Sequence, residues 1–408
     1  MALAFATFAY FVAVTQRSSM GVASLEATER FSTTAAQLSS LAVLQLVVYA
    51  SMQVPVGVLL DRHGPRRMLA TGALIMAVGQ LTVAFAPSLL IAVIGRMAVG
   101  MGDAFTFISM IRLANNWLEG KRASLTQQWL ATIGQTGQIA SAIPFAVLLH
   151  TTGWTGAFAS LSAIGVLVSS LVFIGVWDTQ DTRSHLAPAK DGTLGRIRKS
   201  LGDSAVGLGF WTHFSTQASG TMFVLLWGVP FMVSAQGLPP AAASANLTLF
   251  VVVNAIAGVV LGWTVAHYPA ARRHLVRWIV VAIMLVWVLV LIKQSPLSAL
   301  EVSLLVVVIG IGGPASMIAF DFSRSFVGKE NLGISNGIIN IGGFLACFVM
   351  LFLVGVTLDL QQAWDGRALY SLEHFRLAMA TQLIVLAIGL GFFERAARRV
   401  LNRASKTE

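Results

Sequence analysis

The sequence predicts an all-α polytopic membrane protein whose twelve transmembrane helices form two pseudo-symmetric six-helix bundles. Three observations carry that prediction. The 408 residues are 56% hydrophobic and only 11% charged, and the mean hydropathy of +0.78 lies far outside the soluble range. The charges are spaced so that apolar runs of about 18 to 25 residues recur from end to end, each able to cross roughly 30 Å of hydrocarbon. One polar interruption, at 178–204, is longer than the others between spans and leaves six runs on either side. In lipid every backbone N–H and C=O needs an internal partner, so the runs must be helices.

In chain order the spans fall near 2–24, 38–59, 68–86, 89–113, 124–149, 156–177, 205–234, 243–266, 275–292, 298–320, 333–357 and 375–394. The first begins at Met1 without a basic n-region or a small-residue cleavage signature, and so reads as a retained helix. This gives an N-terminal bundle over 1–177, a cytoplasmic linker over 178–204, a C-terminal bundle over 205–397 and a cytoplasmic tail over 398–408. The only cysteine, Cys347, sits in an apolar span, which excludes an intramolecular disulfide and a cysteine-based metal cluster.

A net charge of +10 could suggest nucleic acid, but the basic residues lie in short loops and not on one face with interleaved aromatics. The charge reads as topology. With both termini inside, twenty of the 27 lysines and arginines fall on the cytoplasmic side, among them Arg62, Arg66, Arg67, Arg198, Arg272 and Arg395. Outside fall Arg30, Lys293, Arg367 and Arg376, while Arg17, Arg96 and Arg112 lie within spans. The opposite orientation would invert a strong positive-inside bias.

An internal repeat supports the division into halves. The stretch GVLLDRHGPRR at 57–67, after the second span, is echoed at 262–273, after the eighth, by Gly262, Pro269, Arg272 and Arg273, with the acidic residue lost. Parallel repeats of this kind build a solute site near the midplane between halves. Gly57, Asp61, Arg62, Gly64, Arg66 and Arg67 resemble the major facilitator signature G-x-x-x-D-R-x-G-R-R, with Pro65 inserted. Arg96, Gly100 and Gly102 are similar to the same superfamily's fourth-span motif. The resemblance covers essentially the whole chain. It implies that the 61–67 loop latches neighbouring helix ends and sets the gate.

An ionisable residue in a span costs on the order of 3 kcal/mol on insertion scales, so each is a functional candidate. Arg17 lies too deep in the first span to snorkel easily. A guanidinium there can donate two parallel hydrogen bonds to a carboxylate or phosphate, or can pair with a carboxylate such as Glu26. Arg96 and Asp103 share the fourth span seven residues apart, two turns along one helix face. Asp103 can cycle between protonated and ionised forms, as proton coupling requires, or can form a static pair with Arg96 or Arg17. Arg112 is turned roughly 180° from Asp103, and Asp321 and Arg324 stand at i, i+3 in the tenth span. An Arg112 to Asp321 contact would close an inner gate. Gln45, Tyr49 and Gln53 share one face of the second span. With His213, Gln217, Trp227, Asn254, Asn336 and Asn340 they are candidates for a polar wall or for helix-to-helix hydrogen bonds. Gly312, Gly313 and Pro314 are expected to loosen the tenth span.

The segment Arg17 to Ala23 resembles the first-span R-x-N-x-G-V-A of the anion:cation symporter branch, with Ser19 in place of asparagine. Gly100 to Ala104 resembles that branch's fourth span, in which a carboxylate follows the glycine pair. The resemblance implies that Arg17 binds a substrate carboxylate and that Asp103 serves proton coupling. The fifth span, with Gly134, Gly137 and Pro144, lacks the Gly-Pro and Gly-Gly pairs usual in drug/proton antiporters. The expected function is therefore proton-coupled transport of a small organic anion by alternating access, with a drug or lipid exporter as the alternative. No cofactor is implied. The expected partners are an anionic small molecule, protons and membrane lipids, with no nucleic acid, and the protein is expected to be a monomer in a bacterial inner membrane. No GxxxxGK[ST] loop for ATP is present. An embedded enzyme finds no HExxH, no GxSxG elbow and no cluster of histidine and carboxylate ligands. A receptor would need a soluble signalling domain longer than either terminus.

Overall fold

The computed structural model describes residues 2–117, 129–130, 132–177, 193–327 and 332–404, which form helices joined by short connections, with no strand among them. The chain divides into two compact units, Met1–Pro188 and Ala189–Glu408.

The first half contains α1 (Ala2–Val22), α2 (Ser24–Phe31), α3 (Ala35–Ala84), α4 (Leu89–Trp117), α5 (Gly137–Ala140) and α6 (Ala146–Gly175). A capping box starts α3: the Thr34 hydroxyl accepts from the Gln37 N–H, and the Gln37 side chain accepts from the Thr34 N–H. Two spans lie within α3 because Gly64 reverses the chain with φ 75° and ψ 161°. Gly153 does the same within α6, with φ 71°. Both conformations are open to glycine and strained for other residues. Pro144, which has no N–H to give the helix, sits in a π turn at Ser141–Phe145 that joins α5 to α6.

The two membrane limbs of this region, α3 and α4, meet backbone to backbone. A Cβ on Gly79 would lie 2.7 Å from the Gly95 carbonyl oxygen, and one on Gly72 would lie 2.7 Å from that of Gly102. Small residues are what allow so close an approach in lipid. Gly79→Val is therefore expected to destabilise the protein by about 1–3 kcal/mol, the usual cost of overpacking. Thermal unfolding in detergent checks this, and an unchanged midpoint would show that the contact yields freely.

In the second half, α7 (Thr193–Leu201) is a short basic helix, followed by α8 (Ser204–Met222), α9 (Gly228–Pro230), α10 (Pro240–His267) and α11 (Arg272–Ile292). Then come α12 (Ala299–Gly310), α13 (Gly312–Ser316), α14 (Ile318–Phe326), α15 (Leu332–Asp365) and α16 (Leu372–Ala404). The seventh span runs from α8 through π turns at Phe223–Trp227 and Phe231–Ala235, on either side of Pro230. The tenth span is interrupted at Ile311 and Met317, flanking Gly312, Gly313 and Pro314. The core of this half is aromatic: Phe231 packs on Phe223, Trp287 and Phe375. Within it the buried Trp287 Nε1 donates to Ser219 Oγ at 3.0 Å, and Ser219 donates to Gln382 Oε1 at 2.7 Å. On the basic side, Arg273 and Arg277 both reach Glu394, at 2.5 and 2.6 Å.

Ten runs among the described residues are long and apolar enough to cross a membrane, one of them the 44-residue Thr132–Gly175. Gly153 splits that run in two, and the 21-residue α1 is a further span, interrupted by Arg17. The twelve-helix reading of the sequence therefore holds. Helix ends differ from the hydropathy edges, because backbone hydrogen bonding continues beyond the apolar window: α15 runs to Asp365 and α16 to Ala404. The segment between the first two spans, read as loop, holds the extra helix α2, closed by Ser32 in the left-handed conformation. A second correction concerns the G-x-S-x-G pattern, which does occur, at Gly333–Gly337. It lies within helix α15, so the strand-to-helix elbow that exposes a nucleophile is not formed there. Ser335 is buried, with its hydroxyl 3.4 Å from that of Ser200.

Candidate functional site

The charged residues of the first half converge where α1, α3 and α4 meet. Arg17 Nη1 of α1 donates to Asp103 Oδ2 of α4 at 3.2 Å. The two differ in access: the Arg17 side chain is 14% exposed and that of Asp103 only 1%. Asp103 Oδ1 lies 3.5 Å from Thr106 Oγ1, whose shorter bond, at 2.8 Å, goes to the Asp103 carbonyl. The Tyr10 phenol hydrogen-bonds the same guanidinium, and Tyr49 lies within its electrostatic reach. Tyr10 is held in turn by Gln135, which donates to its hydroxyl at 2.9 Å, and Gln138 donates to Gln135 at 2.7 Å. The result is a cation paired with one carboxylate and hydrogen-bonded to the Tyr10 phenol.

Arg96 shares the buried stripe with Asp103, as the seven-residue spacing expects, but its guanidinium is used differently. It donates to the Gln16 carbonyl at 3.2 Å, to Ser19 Oγ at 3.3 Å, to the Arg17 carbonyl at 2.8 Å and to Gln45 Oε1. It clamps the backbone that carries Arg17. Gly100, one turn further on, lies so close to the Gln45 backbone that no side chain fits. Arg96→Lys is expected to cost about 1–3 kcal/mol of stability, because an ammonium cannot span acceptors that a planar fork reaches together. The check is the unfolding midpoint of purified protein, and an unchanged value would remove the clamp.

The other predicted residues scatter. Gln45 is buried with its Nε2 unpartnered, and Gln53 turns back to donate to the Tyr49 carbonyl at 3.1 Å. Glu26 does not meet Arg17, since its carboxylate lies 3.9 Å from His150 Nδ1. Burial raises the Glu26 carboxyl above its ordinary range, while His150 pulls it back. Arg66 donates to the Phe173 carbonyl at 2.9 Å and lies over the Phe173 ring, while Arg67 is exposed. Gly57 and the side chains of Asp61, Arg62 and Arg324 lie outside the described residues. Arg112 is half-buried near the end of α4, and Asp321 half-buried on α14. In the second half Trp227 is fully buried in the aromatic core, donating to the Leu351 carbonyl at 3.0 Å. Asn336 and Asn340 are half-buried, and Asn336 Oδ1 has no partner. His213 is buried against Phe320 and Gly343, and Asn254 donates to the Gly310 carbonyl at 2.8 Å.

Sequence reasoning missed Tyr10, Thr106 and Gln135. Tyr10 had a signal, since it precedes Arg17 by seven residues and so shares its face. Gln135 had none, because only the tertiary fold brings the fifth span to Tyr10.

Twelve apolar helices in two repeated halves, with an ion pair sunk in the first, define a polytopic membrane transport protein. The chain belongs to the Major Facilitator Superfamily, whose family model matches residues 6–351. It is 26% identical over 179 residues to the probable L-galactonate transporter of Escherichia coli K12, and 27% over 177 to the probable sulfoacetate transporter SauU of Cupriavidus necator. Those matches cover 44% and 43% of this chain but only 39% and 41% of the relatives' lengths. A drug efflux pump of Mycobacterium tuberculosis, JefA, is 26% identical over 123 residues, 30% of this chain and 24% of its own. Among solved structures, a bacterial homologue of the human lysosomal transporter Spinster, inward-facing and unoccupied, superposes with a TM-score of 0.78. It is 15% identical, and the match covers 98% of this chain and 97% of that one. A variant of the nucleoside transporter NupG gives 0.76 at 12% identity, over 97% of this chain and 100% of its own. At these identities the structures speak for the fold alone.

Proposed function

We propose that the protein is a secondary active transporter working by alternating access, and that it moves a small organic anion, a carboxylate or sugar acid, together with protons. The observation that carries this reading is the Arg17–Asp103 pair. Arg17 is the accessible partner and Asp103 the enclosed one, so an incoming carboxylate meets the guanidinium first. One cation cannot satisfy two buried carboxylates, because the second would be desolvated without a counter-ion. Protonation of Asp103 removes that conflict and frees the guanidinium fork for the substrate. Anion and proton therefore favour each other's binding, which is what symport requires.

Tyr10, Tyr49 and Gln45 supply hydrogen bonds for the hydroxyl or second acidic group of such a solute, and Asn336 and Asn340 are the candidates in the second half. Arg96 holds the site's backbone. The 61–67 segment and Arg112 with Asp321 act in gating. The relatives named for L-galactonate and sulfoacetate support an organic anion as the cargo. The positive-inside bias supports an inner-membrane protein with both termini in the cytoplasm.

The JefA match favours a second reading, proton-driven export of amphipathic molecules, in which Asp103 titrates and Arg17 serves only as its counter-ion. Proteoliposomes separate the two. Uptake of labelled sugar acids driven by an acid-outside gradient is expected. If no anion moves while a lipophilic cation is pumped, the exporter reading takes its place.

A further inference from the structure

We propose that the second half carries a binding site for an anionic phospholipid where α7, the start of α8 and the end of α16 meet. A cavity of about 510 Å³ opens there. Part of its wall is apolar, with the Trp211 and Phe392 rings stacked at 4.5 Å and 14°. Leu201, at its edge, is 64% exposed. Its charge comes from Arg395 and Arg399, both exposed, which lie one turn apart on α16. Among the described residues neither is in an ion pair, and Arg395 lies over the Phe392 ring at 5.4 Å. The one acidic lining residue, Asp203, is committed to capping α8 by accepting from the Ala205 N–H at 2.8 Å.

The shape of the surrounding surface selects a lipid over a soluble phosphate. Ile384, Ile388 and Phe392 follow one another at four-residue spacing on α16 and are 63%, 49% and 41% exposed. They form one apolar stripe that leads from the membrane interior to the two arginines. An acyl chain lying along that stripe places its headgroup phosphate at Arg395 and Arg399, where guanidinium forks match phosphate oxygens. Helix α7 adds exposed Arg198 and Lys199, three and two residues before Leu201, and a basic amphipathic helix of this kind lies along an anionic membrane surface. Orientation under the transporter reading assigns the site to the cytoplasmic leaflet. The site itself depends neither on the transported substrate nor on the direction of transport.

Native mass spectrometry of the full chain in detergent tests the proposal, with phosphatidylglycerol and phosphatidylcholine titrated in parallel and no transport substrate present. The parent is expected to retain one phosphatidylglycerol in preference to phosphatidylcholine. Each arginine near an anionic headgroup contributes about 5-fold, so Arg395→Ala with Arg399→Ala is expected to weaken retention by about 25-fold. Arg398→Ala, which removes one charge beside the cavity and outside its lining, is expected to leave retention within about twofold, against about fivefold for Arg395→Ala or Arg399→Ala alone. Phosphatidylglycerol with a photoactivatable acyl chain, applied to the parent, is expected to label peptides carrying Trp211 and Phe392, which keeps the test alive should the double variant not fold. Equal retention of the two lipids overturns the proposal, as does equal loss in Arg398→Ala. Displacement of phosphatidylglycerol by inorganic phosphate, or label scattered over other lipid-facing helices, also overturns it.

Discussion

Replacing Arg17 by alanine is expected to lower gradient-driven anion uptake by about 30-fold or more, with any residual transport insensitive to the carboxylate on the solute. The magnitude follows from what is removed: truncating one member of a buried, hydrogen-bonded charge pair costs about 2–5 kcal/mol. Under the proposed symport the loss acts twice. The solute carboxylate loses its forked donor, and Asp103, 1% exposed, loses the cation at 3.2 Å that makes its ionised form tolerable. The second effect endangers the fold, so Arg17→Lys is the companion variant. Lysine keeps the charge beside Asp103 but offers a point charge in place of a planar fork. It is expected to preserve the unfolding midpoint while lowering anion uptake by about tenfold, one hydrogen bond to a charged group. If either variant folds and takes up sugar acids like the parent, the guanidinium does not hold the anion.

Much of the fold was legible because lipid leaves the chain so little choice. Once apolar runs of spanning length are recognised, helix is the only backbone solution open to a segment surrounded by lipid. The repeat of 57–67 at 262–273 then gives the halves. What hydropathy could not supply is how each helix deviates from regularity. The π turns beside Pro144 and Pro230 respond to a missing N–H, and whether a helix answers proline with a kink, a break or a wider turn depends on neighbours that the sequence does not place. The repeat also hides a difference in chemistry. In the first half Arg66, after the loop, docks on the Phe173 carbonyl and ring. In the second, Arg273 and Arg277 grip the Glu394 carboxylate. Both arrangements tie a post-loop arginine to the last helix of its own half, and only coordinates reveal that the acceptor changed from a carbonyl to a carboxylate.

The candidate site was legible in its charges and not in their pairing. Helical spacing put Arg96 and Asp103 on one face, which the fold keeps, yet spacing along one helix says nothing of what a neighbouring helix presents. α1 presents its carbonyls and the Ser19 hydroxyl to Arg96, and Arg17 to Asp103. A guanidinium beside several neutral oxygens is held as a structural donor, while a guanidinium facing one carboxylate has an exchangeable partner. That distinction separates the two arginines, although their residue type and depth in the sequence are alike. Gln45 illustrates the same limit. The sequence left it either a wall residue or a helix-to-helix hydrogen bond; its oxygen serves Arg96 across helices, while its Nε2 has no partner and is the atom left for a solute in the proposed function.

Asp103→Asn is expected to separate movement from coupling. Asparagine has nearly the same shape but cannot take up and release a proton, and it leaves Arg17 without an ionised partner, as protonation of Asp103 would. Exchange of labelled for unlabelled anion at equal pH should therefore persist. Accumulation should not. For one proton carried with one monovalent anion, a gradient of one pH unit supplies about 1.36 kcal/mol, enough for about tenfold accumulation on the alkaline side. The parent should approach that ratio with the outside acid and run in reverse when the gradient is inverted, whereas Asp103→Asn should stay near unity under both signs. Accumulation surviving in Asp103→Asn would place the coupling proton elsewhere, and the ion pair would then be a counter-charge for Arg17 alone. Loss of exchange as well, in a protein that still unfolds at the parental temperature, would mean that the pair must remain ionised for the transporter to cycle at all. That outcome would remove the competition between proton and carboxylate on which the symport mechanism rests.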